Sequence, residues 1–308
     1  MHRRQFVKSV TAFGAVSLLP QTSNAQDTAQ SMWGGPVIDM HHHWRAPLAV
    51  NIAHMDGAGI TRSLLLAEAQ QEADATAAVP TNRFSRFISV VATRPDAIAV
   101  LRKARENGAL GFGEMKSRVA LDSPEMKRIY ALAAEMNVPV LAHFQEVTQQ
   151  LSVGTYNTGY ARFPALLKEF PKTLFIGHAD AFWANVSTEV PTDNAYPPGP
   201  VKRGGLTDRL LTDTPTLYGD LSATSGRNFL ARDPEFARDF LIRHQDKLMF
   251  GSDCFCTDGK GAGQTNPLPI LAGKCVARET LTALKSLTSP EVFRKIVWGN
   301  GTRLLKLG

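Results

Sequence analysis

The 308-residue sequence predicts a single-domain (β/α)8 barrel, and three observations carry this prediction. Short apolar runs alternate with helical segments along the chain after residue 30. There are eight such runs, which is the strand number of this barrel. Histidine and acidic side chains stand at the ends of several runs, where an α/β barrel has its active face.

Eight segments are predicted as strands, and most of them are nearly continuous in Val, Ile, Leu and Phe. They do not alternate with polar residues, which is typical of parallel strands buried on both faces. The predicted strands cover residues 37–41, 63–67, 87–92, 110–116, 139–144, 173–179, 216–222 and 247–254.

The segments between the strands carry helix signals. Residues 95–107 begin with a proline and are followed by Gly108, the usual asymmetry of helix ends. Ser123 and Asp233 each precede a proline and are predicted N-caps. Strands alternating with helices favour a barrel over a doubly wound sheet.

Two connections are longer than a compact barrel needs. Residues 180–205, rich in Pro and Gly, follow the sixth strand, and the Gly-rich residues 257–273 follow the eighth. Loops of this length are usually functional, so we expect both at the barrel mouth as walls or a lid for a substrate.

The N-terminal residues 1–25 predict a signal peptide. Arg3 and Arg4 precede the apolar run 10–19, and small residues lead to Ala25, where cleavage is expected. The pattern R-R-x-F-x-K is similar to a twin-arginine signal. The run is too short to span a bilayer, so we expect export to the periplasm without a stable membrane anchor. Residues 26–36 would link the signal to a barrel at 37–308.

The formal net charge of +6 falls to +3 without residues 1–25, which hold three basic residues and no acidic one. The sequence contains no run of Lys and Arg and no basic–aromatic stripe, so nucleic acid is excluded as the expected partner. A small-molecule substrate is expected instead. No pattern indicates an oligomeric state.

Three cysteines, Cys254, Cys256 and Cys275, lie within 22 residues of one another. In an oxidising compartment one disulfide is possible, and Cys256–Cys275 is the expected pair. A zinc site made from these three residues is disfavoured, because histidines and carboxylates elsewhere form a better candidate.

The motif Asp39-Met40-His41-His42-His43 ends the first predicted strand. Residues i and i+2 of a strand point the same way, so His41 and His43 would converge in the barrel mouth while His42 faces away. Two imidazoles with further ligands suit Zn²⁺ or a similar divalent ion.

Further candidate ligands follow at later strand ends: His143 on the fifth strand, His178 on the sixth and Asp253 on the eighth. Glu114 ends the fourth strand and is a candidate ligand or ligand partner. A buried carboxylate there needs a positive partner, which a metal or Lys116 would supply.

Other polar residues near strand ends are candidate substrate contacts. Arg45 and Lys116 are candidate anchors for a substrate carboxylate. Asp220 and Ser222, on the seventh strand, are candidates for lining the pocket.

This ordered set resembles the amidohydrolase superfamily of metal-dependent hydrolases, over nearly the whole chain after residue 37. The residues that carry the resemblance are Asp39-x-His41-x-His43, His143, His178, Asp253 and the tail segment 298–305. It is similar to the amidohydrolase-related branch that includes aminocarboxymuconate-semialdehyde decarboxylase and lactonases. The resemblance implies a barrel fold and a divalent metal.

Two metal arrangements follow from the resemblance. In a mononuclear site, His41, His43, His143 and Asp253 bind one ion and His178 is a catalytic acid or base. In a binuclear site, Glu114 bridges two ions, and His143 and His178 bind the second. The mononuclear arrangement is favoured.

The expected reaction is hydrolysis of a carboxylic ester, lactone or amide by a metal-activated water. Asp253 would move the proton, and His178 or the metal would polarise the carbonyl. Non-oxidative decarboxylation of an unsaturated or aromatic acid is the alternative reaction. A periplasmic metal-binding or ligand-binding protein without catalysis is the alternative class, against which Asp253 argues because a binder needs no general base.

Overall fold

The computed structural model describes residues 25–78, 82–148, 154–265 and 268–307. Eight parallel strands alternate with helices, and each strand is hydrogen-bonded to the next in sequence order. The predicted (β/α)8 barrel is therefore confirmed. The strands are β1 Ile38–His43, β2 Arg62–Glu68, β3 Phe84–Ser89, β4 Gly111–Met115, β5 Pro139–His143, β6 Leu174–His178, β7 Leu217–Asp220 and β8 Leu248–Met249.

Helices cover the outside of the strands. They are α1 Ala25–Trp33, α2 Leu48–Ala58, α3 Glu72–Ala78, α4 Ala97–Glu106, α5 Pro124–Met136, α6 Phe163–Glu169, α7 Ala179–Ala184, α8 Leu206–Asp213, α9 Ala223–Arg232, α10 Pro234–Arg243, α11 Val276–Leu287, α12 Pro290–Arg294 and α13 Asn300–Leu304. The side chain of Ser123 accepts from the amide of Met126, and that of Asp233 accepts from the amide of Phe236. Both residues are N-caps, as predicted.

The barrel closes through hydrogen bonds between β1 and the segment that follows β8. The amide of Met40 donates to the carbonyl of Phe250 at 3.0 Å, and the amide of Asp253 donates to the carbonyl of His41 at 2.8 Å. The regular part of β8 is therefore shorter than the predicted 247–254. Its continuation leaves the ladder and bends towards β1, with Asp253 in the left-handed region at φ 45°.

A change of side-chain direction within β1 brings its histidines to the mouth. Ile38 and Met40 pack with apolar side chains of β2, β3, β5, β6 and β8, a set that meets only in the barrel interior. Strict alternation would then send His42 inward. The pairing of β1 with β2 shifts register between Asp39 and His42, and this irregularity gives His41 and His43 the inward direction instead.

The N-terminal segment differs in part from the prediction. The predicted linker 26–36 is mostly helical, since α1 spans most of it. The helix is held to α2 by Trp33, whose indole donates to the carbonyl of Ala58 at 2.9 Å. The predicted signal peptide lies outside the described residues apart from Ala25, so it stays a prediction. Among the helices that the structure describes, none is long and apolar enough to cross a membrane.

All three cysteines lie in the described part of the chain, and all are buried free thiols. The expected Cys256–Cys275 disulfide is therefore wrong for this structure. The two long connections stand where they were expected, after β6 and β8, although the first begins with the short helix α7.

Replacing Asp39 tests the closure of the barrel. Its Oδ1 accepts from the amide of His41 at 2.9 Å and from that of Ser252 at 2.8 Å, so it joins β1 to the segment after β8. Asp39→Ala leaves both buried amides unpaired, which we expect to lower the free energy of unfolding by about 1–3 kcal/mol for each amide. Urea unfolding in the presence of a chelator measures this without a metal contribution.

Asp39→Asn is the matched control, because its carboxamide oxygen can still accept both hydrogen bonds. It should lose less stability than Asp39→Ala. Equal unfolding midpoints for Asp39→Ala and the unchanged chain would contradict the assigned role.

Candidate metal centre

Six polar side chains meet at the carboxyl end of the barrel, where the sequence expected them. They come from β1, β4, β5, β6 and the segment after β8, and they are His41, His43, Glu114, His143, His178 and Asp253. All are buried except His43 and Asp253, which are partly exposed. The strand ends converge there because the parallel strands of a barrel all finish at one rim.

Glu114 stands between two pairs of histidines. Its Oε2 lies 3.2 Å from Nε2 of His43 and 3.6 Å from Nε2 of His41. Its Oε1 lies 3.3 Å from Nε2 of His178 and is hydrogen-bonded to Nδ1 of His143. Each carboxylate oxygen therefore faces its own histidine pair.

Asp253 faces the same cluster from the opposite side of the barrel. Its Oδ1 lies 3.4 Å from Nε2 of His43 and 3.8 Å from Nε2 of His41, and its Oδ2 lies 3.9 Å from Nε2 of His178. The positive φ of Asp253 is uncommon for a residue with a side chain, and such strain is often found at functional sites. The hydrogen bond from the amide of Asp253 to the carbonyl of His41 holds this bend.

Asp220 and Ser222 orient two of the histidines from behind. Nδ1 of His41 donates to Oδ2 of Asp220 at 2.6 Å, and Nδ1 of His178 donates to Oγ of Ser222 at 2.8 Å. Ser222 in turn donates to Asp220 at 2.8 Å. In the neutral imidazole, these hydrogen bonds place the proton on Nδ1 and leave Nε2 of both histidines directed at the centre, as a metal ligand requires. The two residues are fully buried, so their expected role as pocket lining is wrong.

Gly251 makes this close packing possible. A Cβ atom on Gly251 would lie 2.3 Å from Oδ1 of Asp220 and 2.8 Å from Cβ of His41. The second residue after β8 is therefore a glycine, at the point where the segment after β8 packs between β1 and Asp220 of β7.

Opposite charges in the cluster stabilise the ionised forms of its buried side chains. Burial disfavours a charged imidazole at His41, but the carboxylates of Asp253 and Asp220 outweigh it and raise the pKa of His41 well above its ordinary value. Burial also opposes the ionised form of Glu114. The adjacent Lys116, whose Nζ lies 2.9 Å from Oε2, helps to hold the pKa of Glu114 well below its usual range. Ionised buried carboxylates of this kind require a nearby positive charge.

The donor set fits a divalent metal. Nε2 of His41, Nε2 of His178 and Oδ1 of Asp253 are buried and have no hydrogen-bond partner among the described residues. Three overlapping triads have ligand atoms within 4.8 Å of one another. They are His41, His178 and Asp253; His41, His43 and Glu114; and Glu114, His143 and His178. Imidazole and carboxylate are ligands that Zn²⁺ accepts.

His42 and Arg45 lie away from this cluster. His42 faces away as predicted, yet it is buried, with Nδ1 3.2 Å from Oγ of Ser63. The guanidinium of Arg45 lies 3.2 Å from Nε2 of His42 and donates to the carbonyls of Phe255 and Cys256 at 3.0 and 2.9 Å. Arg45 thus holds the loop after β8 in this structure, and its role as a substrate anchor stays a prediction.

Two cavities open beside the centre and share Lys116. One, of about 250 Å³, is lined by His143, His178 and Asp253, and the other, of about 210 Å³, by His43 and Glu114. The side chain of Lys116 is 39% exposed and lines both of them.

Residues without a sequence motif complete the larger cavity. Tyr196 comes from the connection 180–205, and Gln264 comes from the connection 257–273, so both long loops line this cavity. Gln145 and Tyr156 also line the cavity, on segments joined by reciprocal backbone hydrogen bonds of 3.0 and 3.1 Å. Sequence reasoning missed all four, because loop residues that lack strand or metal spacing give no signal.

Several solved structures have a similar barrel fold. A dihydroorotase from Campylobacter jejuni is 15% identical, with a TM-score of 0.55 over 89% of this chain and 84% of that one. A protein from Pseudomonas putida described as a 2-pyrone-4,6-dicarboxylic acid hydrolase is 16% identical, with a TM-score of 0.57 over 88% of this chain and 97% of that one. A protein from Acinetobacter baumannii with the same description, solved with citric acid bound, is 15% identical, with a TM-score of 0.56 over 88% and 99%.

These similarities confirm the barrel fold that the resemblance to amidohydrolases implied. No protein-family model and no curated protein matches the sequence. The chemistry therefore has to be argued from the site itself.

Replacing Asp220 tests whether it orients His41 for metal binding. Asp220→Ala frees the imidazole to rotate, and we expect a 10–100-fold weaker affinity for Zn²⁺, the usual effect of losing a partner of a metal-binding histidine. Competition with a chromophoric chelator measures the affinity. Asp208→Ala is the matched control, because Asp208 accepts from His244 at 2.7 Å on the outer helices. Equal affinities in the two variants would remove this role from Asp220.

Proposed function

We propose that this protein is a divalent-metal-dependent hydrolase that cleaves a carboxylic ester, lactone or amide. The observation that carries the proposal is the convergence of four histidines and two carboxylates, with unpaired buried ligand atoms, beside an open cavity. The solved structures with this fold include a dihydroorotase and proteins described as 2-pyrone-4,6-dicarboxylic acid hydrolases, which supports hydrolysis over the alternatives.

We further propose two ions, preferably Zn²⁺, with Glu114 between them. His41, His43 and Asp253 would hold the first ion and His143 and His178 the second. The division of the two Glu114 oxygens between the two histidine pairs supports this arrangement over the mononuclear one favoured by the sequence. In this arrangement His178 would be a metal ligand, and Asp253 would be the general base and general acid.

Divalent ions at such a centre supply a nucleophilic water at neutral pH and polarise a substrate carbonyl. Asp253 is suited to take the proton of that water and to return it to the leaving oxygen or nitrogen. Against burial, the neighbouring imidazoles of His41 and His43 lower the pKa of Asp253, so its carboxylate is ionised. Asp220 and Ser222 keep two imidazoles in the tautomer that leaves Nε2 free.

Lys116 supports a substrate that carries a carboxylate of its own. Burial opposes its charge, but the carboxylates of Glu114 and Asp253 raise its pKa above the ordinary value. Its ammonium therefore stays charged while facing both cavities. We propose that it binds an anionic group at the rim of the substrate.

Export stays part of the proposal. The paired arginines and the short apolar run of residues 1–25 support a periplasmic enzyme that crosses the membrane folded, with its metal loaded beforehand.

Metal analysis and turnover test the function together. The unchanged chain should hold two divalent ions at this centre and release acid from a panel of esters and lactones. His41→Ala should lose metal and turnover. Asp253→Asn should lower kcat about 10²–10⁴-fold, the usual contribution of a positioned proton acceptor.

The same assays can contradict the proposal. Metal retained with undiminished turnover in both variants would end it. Release of CO2 from an aromatic acid panel, with no acid released from esters or lactones, would favour the decarboxylase instead. Metal binding without any turnover would favour the binding protein.

Replacing Lys116 separates substrate binding from chemistry. Lys116→Met should raise KM for a carboxylate-bearing lactone at least 10-fold more than KM for a neutral lactone, because only the first loses a charge-assisted contact to its carboxylate. Loss of the ion pair with Glu114 acts on both lactones alike. Arg94→Met is the matched control, since Arg94 also lines a cavity but is paired with Asp96 at 2.7 Å. Equal changes in KM for the two lactones would show that Lys116 does not bind the carboxylate of the substrate.

A further inference from the structure

A second group of metal-binding side chains lies beside the candidate metal centre and shares no residue with it. His54 stands on α2, Cys254 and Cys256 follow β8, and Cys275 directly precedes α11. All four side chains are buried. The group therefore joins three segments that are distant in the sequence.

The ligand atoms are spaced as in a tetrahedral zinc site. Sγ of Cys254 lies 3.3 Å from Sγ of Cys256 and 3.9 Å from Sγ of Cys275, and Nδ1 of His54 lies 3.3 Å from Sγ of Cys256. All four ligand atoms lie within 4.8 Å of one another. A Zn–S bond of about 2.3 Å places two sulfur ligands of a tetrahedron roughly 3.8 Å apart, close to these distances.

A disulfide and simple apolar packing both fit this group less well than a metal does. A disulfide is excluded, because its sulfur atoms lie only about 2.05 Å apart. Packing of thiols as small apolar groups accounts for one buried cysteine but not for three around a histidine. Nδ1 of His54 lies 3.3 Å from Sγ of Cys256, so the imidazole directs a ring nitrogen at the same point as the thiols.

The backbone around the cluster is built to bring the loop onto α2. A Cβ on Gly57 would lie 1.9 Å from the carbonyl oxygen of Asp258, and a Cβ on Gly259 would lie 2.3 Å from the carbonyl oxygen of His54. Asp258 Oδ1 accepts from three successive amides, at 2.8, 3.0 and 3.1 Å. Oε1 of Gln264 accepts from the amide of Cys256 at 3.2 Å. The loop is thus fixed with its thiols facing His54.

We propose that His54, Cys254, Cys256 and Cys275 bind one structural Zn²⁺. Four protein ligands close the coordination sphere and leave no position for a substrate, which is typical of structural zinc. The ion would fasten the segment after β8 to α2 and to the start of α11. Asp253 precedes Cys254 directly, so the same ion would anchor the bend that carries the proposed proton acceptor.

Spectroscopy of the whole chain tests the site apart from any activity. Zinc X-ray absorption of protein purified without chelator should show sulfur neighbours at about 2.3 Å, which the oxygen and nitrogen ligands of the other centre cannot supply. Cobalt-substituted protein should show a thiolate-to-cobalt charge-transfer band. Cys275→Ser should lose about one zinc per chain together with most of the sulfur signal, while Cys275→His should keep the zinc.

His244→Asn serves as the matched control, since His244 is a buried histidine that pairs with Asp208 at 2.7 Å and is not part of the cluster, and it should keep the full zinc content. If Cys275→Ser does not fold, the absorption spectrum of the unchanged chain still decides. Absence of sulfur neighbours, equal zinc in Cys275→Ser and the unchanged chain, or a disulfide found by mass spectrometry without reduction would each overturn the proposal.

Discussion

The carboxylate of Glu114 is the group on which the rest of the centre depends. It is buried at the middle of the barrel mouth, and an ionised carboxylate there is stable only among positive charges or metal ions. Lys116 supplies one charge from the rim, and two histidine pairs face the two oxygens. Removing these partners would leave a buried charge unpaired, which is among the costliest faults a folded protein can carry. The arrangement is therefore more readily explained by a ligand-binding function than by stability.

The hydrogen bonds that close the barrel also position residues of the candidate metal centre. Asp39, near the start of β1, accepts a hydrogen bond from the amide of Ser252, and the amide of Asp253 donates to the carbonyl of His41. These bonds bring the residue from the last strand against the residues from the first. A barrel that failed to close would separate Asp253 from His41 and His43, so the proposed proton acceptor is positioned by the fold and not by its own loop alone.

Periodicity and motif order were sufficient to predict the barrel and the six candidate ligands, because buried parallel strands leave a strong apolar signal and their ends share one rim. The roles of Asp220 and Arg45 could not be predicted in this way. Both depend on which of several neighbouring groups a side chain reaches, and that is decided by packing between segments far apart in sequence. Even the correct choice of His41 and His43 relied on regular alternation, whereas the structure obtains it through a register shift in β1.

The cysteines show the same limit more clearly. Their spacing, with one residue between Cys254 and Cys256 and eighteen before Cys275, does not match a common zinc motif, and the fourth group lies about two hundred residues earlier at His54. Only the packing of α2 against the loop after β8 brings them together. If this cluster holds zinc, the segment that carries Asp253 is fixed on one side by β1 and on the other by a metal. A proton acceptor in a strained left-handed conformation requires such support from both sides, since its backbone would otherwise relax away from the geometry that the reaction uses.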